Sequence, residues 1–434
     1  MSQVRIKHTG PLQGECTPPS DKSISHRSII LAALADGEST IKNFLRAEDP
    51  MRTLYAFQHM GIDIQESCEN EIIVSGKGLE GLSAPGNVID CGNSGTTMRL
   101  MSGVLAGQPF SSTLTGDQFL LKRPMERIIA PLTAMGADIV SEKGGYPPLH
   151  IQGGNLRPIQ YTSPIASAQV KSAILLAGLY CDGETSVVEP GKSRDHTERM
   201  LRASGVDVRT DGKKVSVTGI AKLTPLDMTV PGDFSSAAFF IVAGLLVPGS
   251  EVLIKNVGIN TTRTGLLDIL QDMMEKDFEL LNIREVSGEP VADILVRHAR
   301  LKALHVGGDR VLRAIDEFPV LCVAAAKAEG TTKITGAGEL RVKESDRIAA
   351  MASELKKMGV TIEELDDGII IEGREDLHGA AVNSHGDHRI AMSMSVAGLT
   401  AEEETTVADT DCIDTSFPRF MEIVYNLGQK KHSA

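Results

Sequence analysis

Six times along the chain a short polar or small-residue turn gives way to a run apolar on nearly all sides. The runs follow Pro18-Pro19-Ser20-Asp21-Lys22-Ser23, Asp90-Cys91-Gly92-Asn93-Ser94-Gly95, Pro164-Ile165-Ala166-Ser167-Ala168-Gln169, Pro231-Gly232-Asp233-Phe234, Ile315-Asp316-Glu317-Phe318-Pro319 and His385-Gly386-Asp387-His388-Arg389. Each run is rich in Ala, Gly, Leu, Ile and Val, and a helix apolar on every face is a buried one. Polar residues ahead of such a run are helix-start signals. Between the runs the pattern changes. Alternating stretches at 71–75, 149–153, 215–219 and 368–372 predict strands. Amphipathic stretches at 53–60, 127–135, 196–204 and 347–358 predict surface helices, several ending in a glycine stop. The period is roughly 70 residues, too long for a solenoid and suited to a repeated α/β subdomain. Three subdomains per domain is the natural division, with a break near Pro231-Gly232-Asp233.

Size agrees with two domains, since 434 residues is long for one core. The net charge of -13 speaks against nucleic acid or an anionic membrane as main partner. With no Trp and 4% aromatics, stacking on bases or sugars is poorly supplied. The cysteines at 16, 68, 91, 181, 322 and 412 are scattered, without C-x-x-C spacing. That argues against a disulfide scaffold and a structural zinc site. The N-terminal residues lack the apolar stretch of a secretory signal, and the most apolar run, 237–247, is too short to span a bilayer. The expectation is a cytoplasmic protein.

Charge matters locally. Lys22, Arg27, Arg99, Arg123, Arg194, Lys343, Arg347 and Arg389 sit near the predicted helix starts, with Asp49, Asp316, Glu344 and Asp387. A helix N-terminus offers free N–H groups and a positive dipole end, and cations in the same turn complete an anion site. Each residue alone also suits an ordinary surface salt bridge. Together, at helix starts facing one cleft, they would form a strongly cationic pocket for a substrate bearing several phosphates or carboxylates. Competing motifs fail. Gly191-Lys192-Ser193 resembles a P-loop tail, but its first glycine would be residue 186, a serine. No G-x-G-x-x-G follows a strand, no histidine pair has H-E-x-x-H spacing, and no G-x-S-x-G occurs.

Five segments carry a family resemblance. Ser20-Asp21-Lys22-Ser23-Ile24-Ser25-His26-Arg27, Gly92-Asn93-Ser94-Gly95-Thr96-Thr97-Met98-Arg99, Lys122-Arg123-Pro124-Met125, Arg341-Val342-Lys343-Glu344-Ser345-Asp346-Arg347 and Gly386-Asp387-His388-Arg389-Ile390-Ala391-Met392 resemble, in order, the signature segments of the 5-enolpyruvylshikimate-3-phosphate synthase family. The resemblance implies an α/β fold of two similar domains, each of three βαβαββ-type units with buried helices and outer sheets. This is the inside-out α/β barrel of enolpyruvyl transferases. The expected domains are residues 1–20 plus 233–434 and residues 21–232, with the active site in the cleft between them. It also implies transfer of the enolpyruvyl group of phosphoenolpyruvate to the 5-hydroxyl of shikimate 3-phosphate, with release of phosphate, in aromatic amino acid biosynthesis.

By the same resemblance Asp316 is the base at the hydroxyl, and Glu344 and Lys22 are alternatives for proton transfer at the methylene carbon. The phosphoenolpyruvate positions are Lys22, Gly95, Arg123, Gln169, Arg347 and Arg389. The shikimate 3-phosphate positions are Lys22, Ser23, Arg27, Ser167, Ala168, Gln169, Arg194, Asp316 and Lys343. Arg99 and Asp49 are expected to orient these residues. No metal or cofactor is implied, and the partners are the two small substrates of a monomer. Leu100, Ala168, Arg194 and Thr415 depart from one branch and resemble the bacterial branch that includes poorly glyphosate-inhibited enzymes. The related transferase acting on UDP-N-acetylglucosamine is the nearest alternative, but its mobile loop carries a cysteine, and the matching Lys122-Arg123-Pro124 has none.

Overall fold

The computed structural model describes residues 2–7, 10–67, 70–220 and 222–429; Cys68 lies outside them. The chain divides into two compact units. One comprises Ser20–Val230 with Val286–Glu289, and the other the residues up to Pro19, Pro231–Glu285 and those from Pro290 onward. The tip 286–289 is assigned to the first unit although it lies far downstream of it in sequence. Each unit has its own apolar core.

In the Ser20–Val230 unit the helices are α1 (Lys22–Leu34), α2 (Glu48–His59), α3 (Gly95–Ala106), α4 (Glu126–Met135), α5 (Ala168–Gly178) and α6 (His196–Ala203). The odd-numbered ones are the buried runs read from sequence: nearly every residue of α1, α3 and α5 is shielded. Polar residues inside α1 satisfy themselves locally: Ser25 and Ser28 hydroxyls donate to carbonyls one turn back. The crossing of α3 and α5 depends on Gly103. A Cβ there would stand 2.2 Å from the Ala173 carbonyl oxygen.

The repeat is legible in strand order. Strand Ile89–Asp90, α3, Ser111–Thr115, α4, Asp138–Glu142 and Tyr146–Gln152 form one βαβαββ subdomain. Its first two strands pair parallel and the rest antiparallel. Gln160–Thr162, α5, Glu184–Val188, α6, Val208–Asp211 and Lys214–Thr218 repeat it. The subdomain of α1 and α2 takes its leading strand from far downstream. Met228–Thr229 pairs parallel with Ile41 and Lys42.

The other unit holds α7 (Phe234–Leu246), α8 (Gly265–Met274), α9 (Asp309–Arg313), α10 (Phe318–Ala326), α11 (Arg347–Lys357), α12 (His388–Leu399) and α13 (Phe420–Gly428). Helices α7, α10 and α12 are its buried set. Its first subdomain borrows strand Gln13–Cys16, parallel to Glu251–Ile254. Its last departs from the repeat. It has three strands, with Gln3–Ile6 antiparallel to Thr405–Ala408 where a hairpin would otherwise lie. Two further expectations need correction. The helix expected from residue 53 starts at Glu48, because Pro50 falls in the first turn, where its missing N–H costs nothing. The short α9, ahead of the Asp316 turn, is an addition. No helix among the described residues is long and apolar enough to cross a membrane.

Candidate active site

Each unit carries its predicted residues at or near helix starts. In the Ser20–Val230 unit, Asp21 caps α1 by accepting from the Ile24 amide at 2.8 Å, which puts Lys22 on the first turn. Lys22 Nζ meets Asp49 Oδ2 at 3.0 Å, with both side chains mostly shielded. Ser23 is half-buried beside it. Arg27, one turn on, is fully enclosed. It donates to Thr197 Oγ1 on α6 at 2.6 Å, to Ser172 Oγ on α5 at 2.8 Å and to the Ser23 carbonyl at 2.9 Å. Asp49 pairs with Lys22, and Arg99 donates to Gln169 Oε1 at 2.8 Å.

Gln169 spans two helix starts, because its Nε2 also donates to Thr96 Oγ1 at 3.0 Å. Gly95 opens α3 under the Ser94 cap. A Cβ on Gly95 would lie 2.7 Å from an Arg99 guanidinium nitrogen and 3.4 Å from one of Arg123. The bare glycine therefore borders two cations. Arg123 follows the short 3-10 helix Leu120–Lys122 and is held by the Asn93 carbonyl at 3.1 Å and by the Asn93 side chain. Ser167 caps α5 and Ala168 begins it. Arg194 lies half-buried in the loop ahead of α6. Beneath these residues His26 Nδ1 lies 2.7 Å from Thr53 Oγ1, which lies 2.8 Å from Thr97 Oγ1. Burial, and then the charges of Lys22 and Arg27, hold His26 well below the usual imidazole range.

The other unit gathers carboxylates as well as cations. Asp316 stands just before α10, with Oδ1 3.5 Å from Arg347 and Oδ2 3.5 Å from Arg389. Arg389 also donates to the Asp316 carbonyl at 3.0 Å. Arg347 opens α11 and is 1% exposed; it reaches Glu344 Oε2 at 2.7 Å and Asp387 Oδ2 at 2.8 Å. Asp387 caps α12 by accepting from the Arg389 amide at 2.9 Å. Burial pushes the Asp387 carboxyl up, but the Arg347 charge prevails and holds it below the usual carboxylate range. The same carboxylates push the Arg347 guanidinium up against its burial. Lys343 is half-buried in the same turn. Burial brings its ammonium below the usual lysine range, with Asp316 opposing that fall.

Within the Ser20–Val230 unit, Lys22, Arg27, Arg99, Arg123 and Arg194 lie near helix starts with Asp49. Within the other unit, Lys343, Arg347 and Arg389 interleave with Asp316, Glu344 and Asp387. Sequence reading passed over Asn93, Thr96, Ser345 and Glu317 as partners. Ser345 donates to Asp387 at 3.1 Å, and Glu317 lies 4.0 Å from Arg389. Asn93, Thr96 and Ser345 fall inside the quoted segments, so adjacency to Gly95 and Arg347 was the available signal.

A sequence model of the family described as EPSP synthase (3-phosphoshikimate 1-carboxyvinyltransferase) matches residues 6–424. A protein named 3-phosphoshikimate 1-carboxyvinyltransferase from Geotalea uraniireducens is 58% identical over 98% of this chain and 99% of its own. One of the same name from Citrifermentans bemidjiense is 55% identical over 99% of this chain and 100% of its own. The solved structure of EPSP synthase from Acinetobacter baumannii superposes with a TM-score of 0.87 at 49% identity, covering 98% of both chains.

Proposed function

The chain belongs to the EPSP synthase family, and from that premise we propose that it transfers the enolpyruvyl group of phosphoenolpyruvate to the 5-hydroxyl of shikimate 3-phosphate. Protonation of the methylene carbon makes a cationic centre. The hydroxyl attacks it as it loses its own proton. The tetrahedral adduct then expels phosphate and returns a proton from the methyl group. Such a reaction needs a base at the hydroxyl, an acid/base at the carbon and cations around both anions.

In this reading Asp316 takes the hydroxyl proton. The observation that carries the assignment is its setting: a partly open carboxylate held between two guanidinia, each 3.5 Å away. Such bracketing fixes its direction before substrate arrives. Lys22 or Glu344 serves the methylene carbon. Lys22 has a carboxylate partner at 3.0 Å and stands at a helix start. Glu344 is tied to Arg347 at 2.7 Å and is a quarter exposed. Phosphoenolpyruvate is taken to bind Lys22, Gly95, Arg123, Gln169, Arg347 and Arg389. Shikimate 3-phosphate is taken to bind Lys22, Ser23, Arg27, Ser167, Ala168, Gln169, Arg194, Asp316 and Lys343. Bare Gly95 lets backbone N–H groups approach an anion that a Cβ would hold off.

We further take the enzyme to be a cytoplasmic monomer that works without a cofactor, checked by sedimentation and by activity after exhaustive chelation. Leu100, Ala168, Arg194 and Thr415 support placing it in the branch with poorly glyphosate-inhibited members, checked by an inhibition titration. The deciding experiment for function is a coupled phosphate-release assay. Release with phosphoenolpyruvate and shikimate 3-phosphate is expected. Release only with UDP-N-acetylglucosamine as acceptor would overturn the assignment.

A further inference from the structure

The Ser20–Val230 unit contains a buried ion cluster to which the reaction above gives no role. Lys171, on the second turn of α5, has a side chain only 2% exposed. Its Nζ lies 3.0 Å from Glu189 Oε2 and 2.7 Å from Glu198 Oε1. Burial opposes the ammonium, yet the two carboxylates prevail and push it above the usual lysine range. Such a cluster is weak evidence for stability, because apolar residues of similar volume often serve as well.

Its geometry suggests another purpose. Glu189 reaches in two directions at once. Oε1 accepts from the Ser167 amide at 3.0 Å, and Oε2 accepts from the Ser193 hydroxyl at 2.8 Å. Lys171 also donates to the Ser193 carbonyl at 3.4 Å. One carboxylate therefore ties the start of α5, with Ser167, Ala168 and Gln169, to the residue next to Arg194. Arg27 joins the same assembly, since Thr197 and Ser172, which it holds, are neighbours of Glu198 and Lys171 in sequence and lie 2.6 Å apart.

We propose that the Lys171–Glu189 pair is a positioning element for the acceptor substrate. It fixes the spacing between the α5 start and the Arg194 loop, and so the affinity for shikimate 3-phosphate, without touching that molecule. Gln169 is secured separately by Arg99 and Thr96, so affinity for phosphoenolpyruvate is insulated from the pair. The inference rests on the proposed function, because it takes Arg27, Ser167, Ala168 and Arg194 as acceptor-binding.

Steady-state kinetics with both substrates, alongside thermal melting, test it. Glu189→Gln keeps the shape but puts an amide N–H2, a donor, where Oε2 accepts from the Lys171 ammonium and the Ser193 backbone N–H, so the Lys171–Glu189 pair is broken. Its KM for shikimate 3-phosphate is expected to rise at least about tenfold, while KM for phosphoenolpyruvate and kcat stay within about threefold. Lys171→Met is expected to show the same split. Lys171→Arg restores the wild-type KM to within about threefold, with room provided by a cavity of about 210 Å³ beside Lys171, Glu189, Glu198 and Arg202. An unchanged acceptor KM in Glu189→Gln, or both KM values rising together with lowered melting, would overturn the positioning role. No phosphate release by the wild type with shikimate 3-phosphate would overturn the functional reading, and the inference with it.

Discussion

Replacing Arg347 by Met removes a cation that reaches three carboxylates. Asp387 is wholly buried and 2.8 Å from Arg347 Nε; Glu344 and Asp316 follow at 2.7 and 3.5 Å. Removing one partner of a buried pair strands the other, at roughly 3–5 kcal/mol. Against a typical total of about 5–15 kcal/mol that is a large fraction. The sign of its pH dependence is the sharper test. In the wild type Asp387 lies below the ordinary value. Its contribution is complete above the unfolded pKa and fades only as pH falls towards the lowered folded one. From pH 7 to 5 this group leaves wild-type stability flat. Without Arg347, burial and the Glu344 charge both raise the carboxyl against the weaker pull of His388 and the Arg389 amide, and the folded pKa is expected to move above the unfolded one. The variant then takes up a proton on folding and recovers stability as pH falls. Chemical denaturation at pH 7 and pH 5 measures this, followed by circular dichroism because the chain has no Trp. The deficit is expected to narrow at pH 5. Adding Asp387→Asn, which still caps α12, should recover most of it at pH 7. A deficit below about 1 kcal/mol, a deficit that widens on acidification, or a double variant no better than the single would refute the reasoning.

Asp316→Ala should lower turnover at least about a hundredfold while shikimate 3-phosphate binding, read by calorimetry, stays within about tenfold; unchanged turnover counts against its role as base. Gly103→Ala drives a methyl into the Ala173 backbone and should lower stability by about 1–3 kcal/mol; an unaltered melting temperature would mean that α3 and α5 separate freely. Burial opposes the Glu354 carboxylate, but His385, Lys357 and the Asn383 amide bring it down to about 2. The stability advantage of wild type over Glu354→Gln, on the order of 3 kcal/mol at most, should be complete above about pH 4.5 and fade towards pH 2; an advantage that persists at pH 2 would contradict that pairing.

The six buried helices were legible because each is apolar on every face, with a polar start that sequence displays directly. Asp21, Ser94, Ser167, Asp233 and Asp387 all cap as that pattern suggests. Surface helices gave weaker boundaries, as Pro50 shows: a proline in a first turn reads as a stop when it is a start. The borrowed strands were illegible. Met228–Thr229 has two residues and Gln3–Ile6 has four, too short for a periodicity and paired with segments far away in sequence. Lys22, Gly95, Arg123, Arg347 and Arg389 could be named as candidates because each lies in a contiguous motif. Glu189 could not, because its importance lies in joining Ser167 to Ser193 across the fold, and no local pattern encodes that.

The strand Gln3–Ile6 finds its partner only at Thr405–Ala408. During synthesis that edge must wait while about 400 residues are made, roughly 20–80 s at about 5–20 residues per second. The Ser20–Val230 unit faces a shorter delay, since its last strand emerges with Met228–Thr229. One half of the newborn chain can therefore mature on the ribosome while the other, begun first, is finished last. Its amino-terminal ribbon spends that interval as an unguarded template for mispairing.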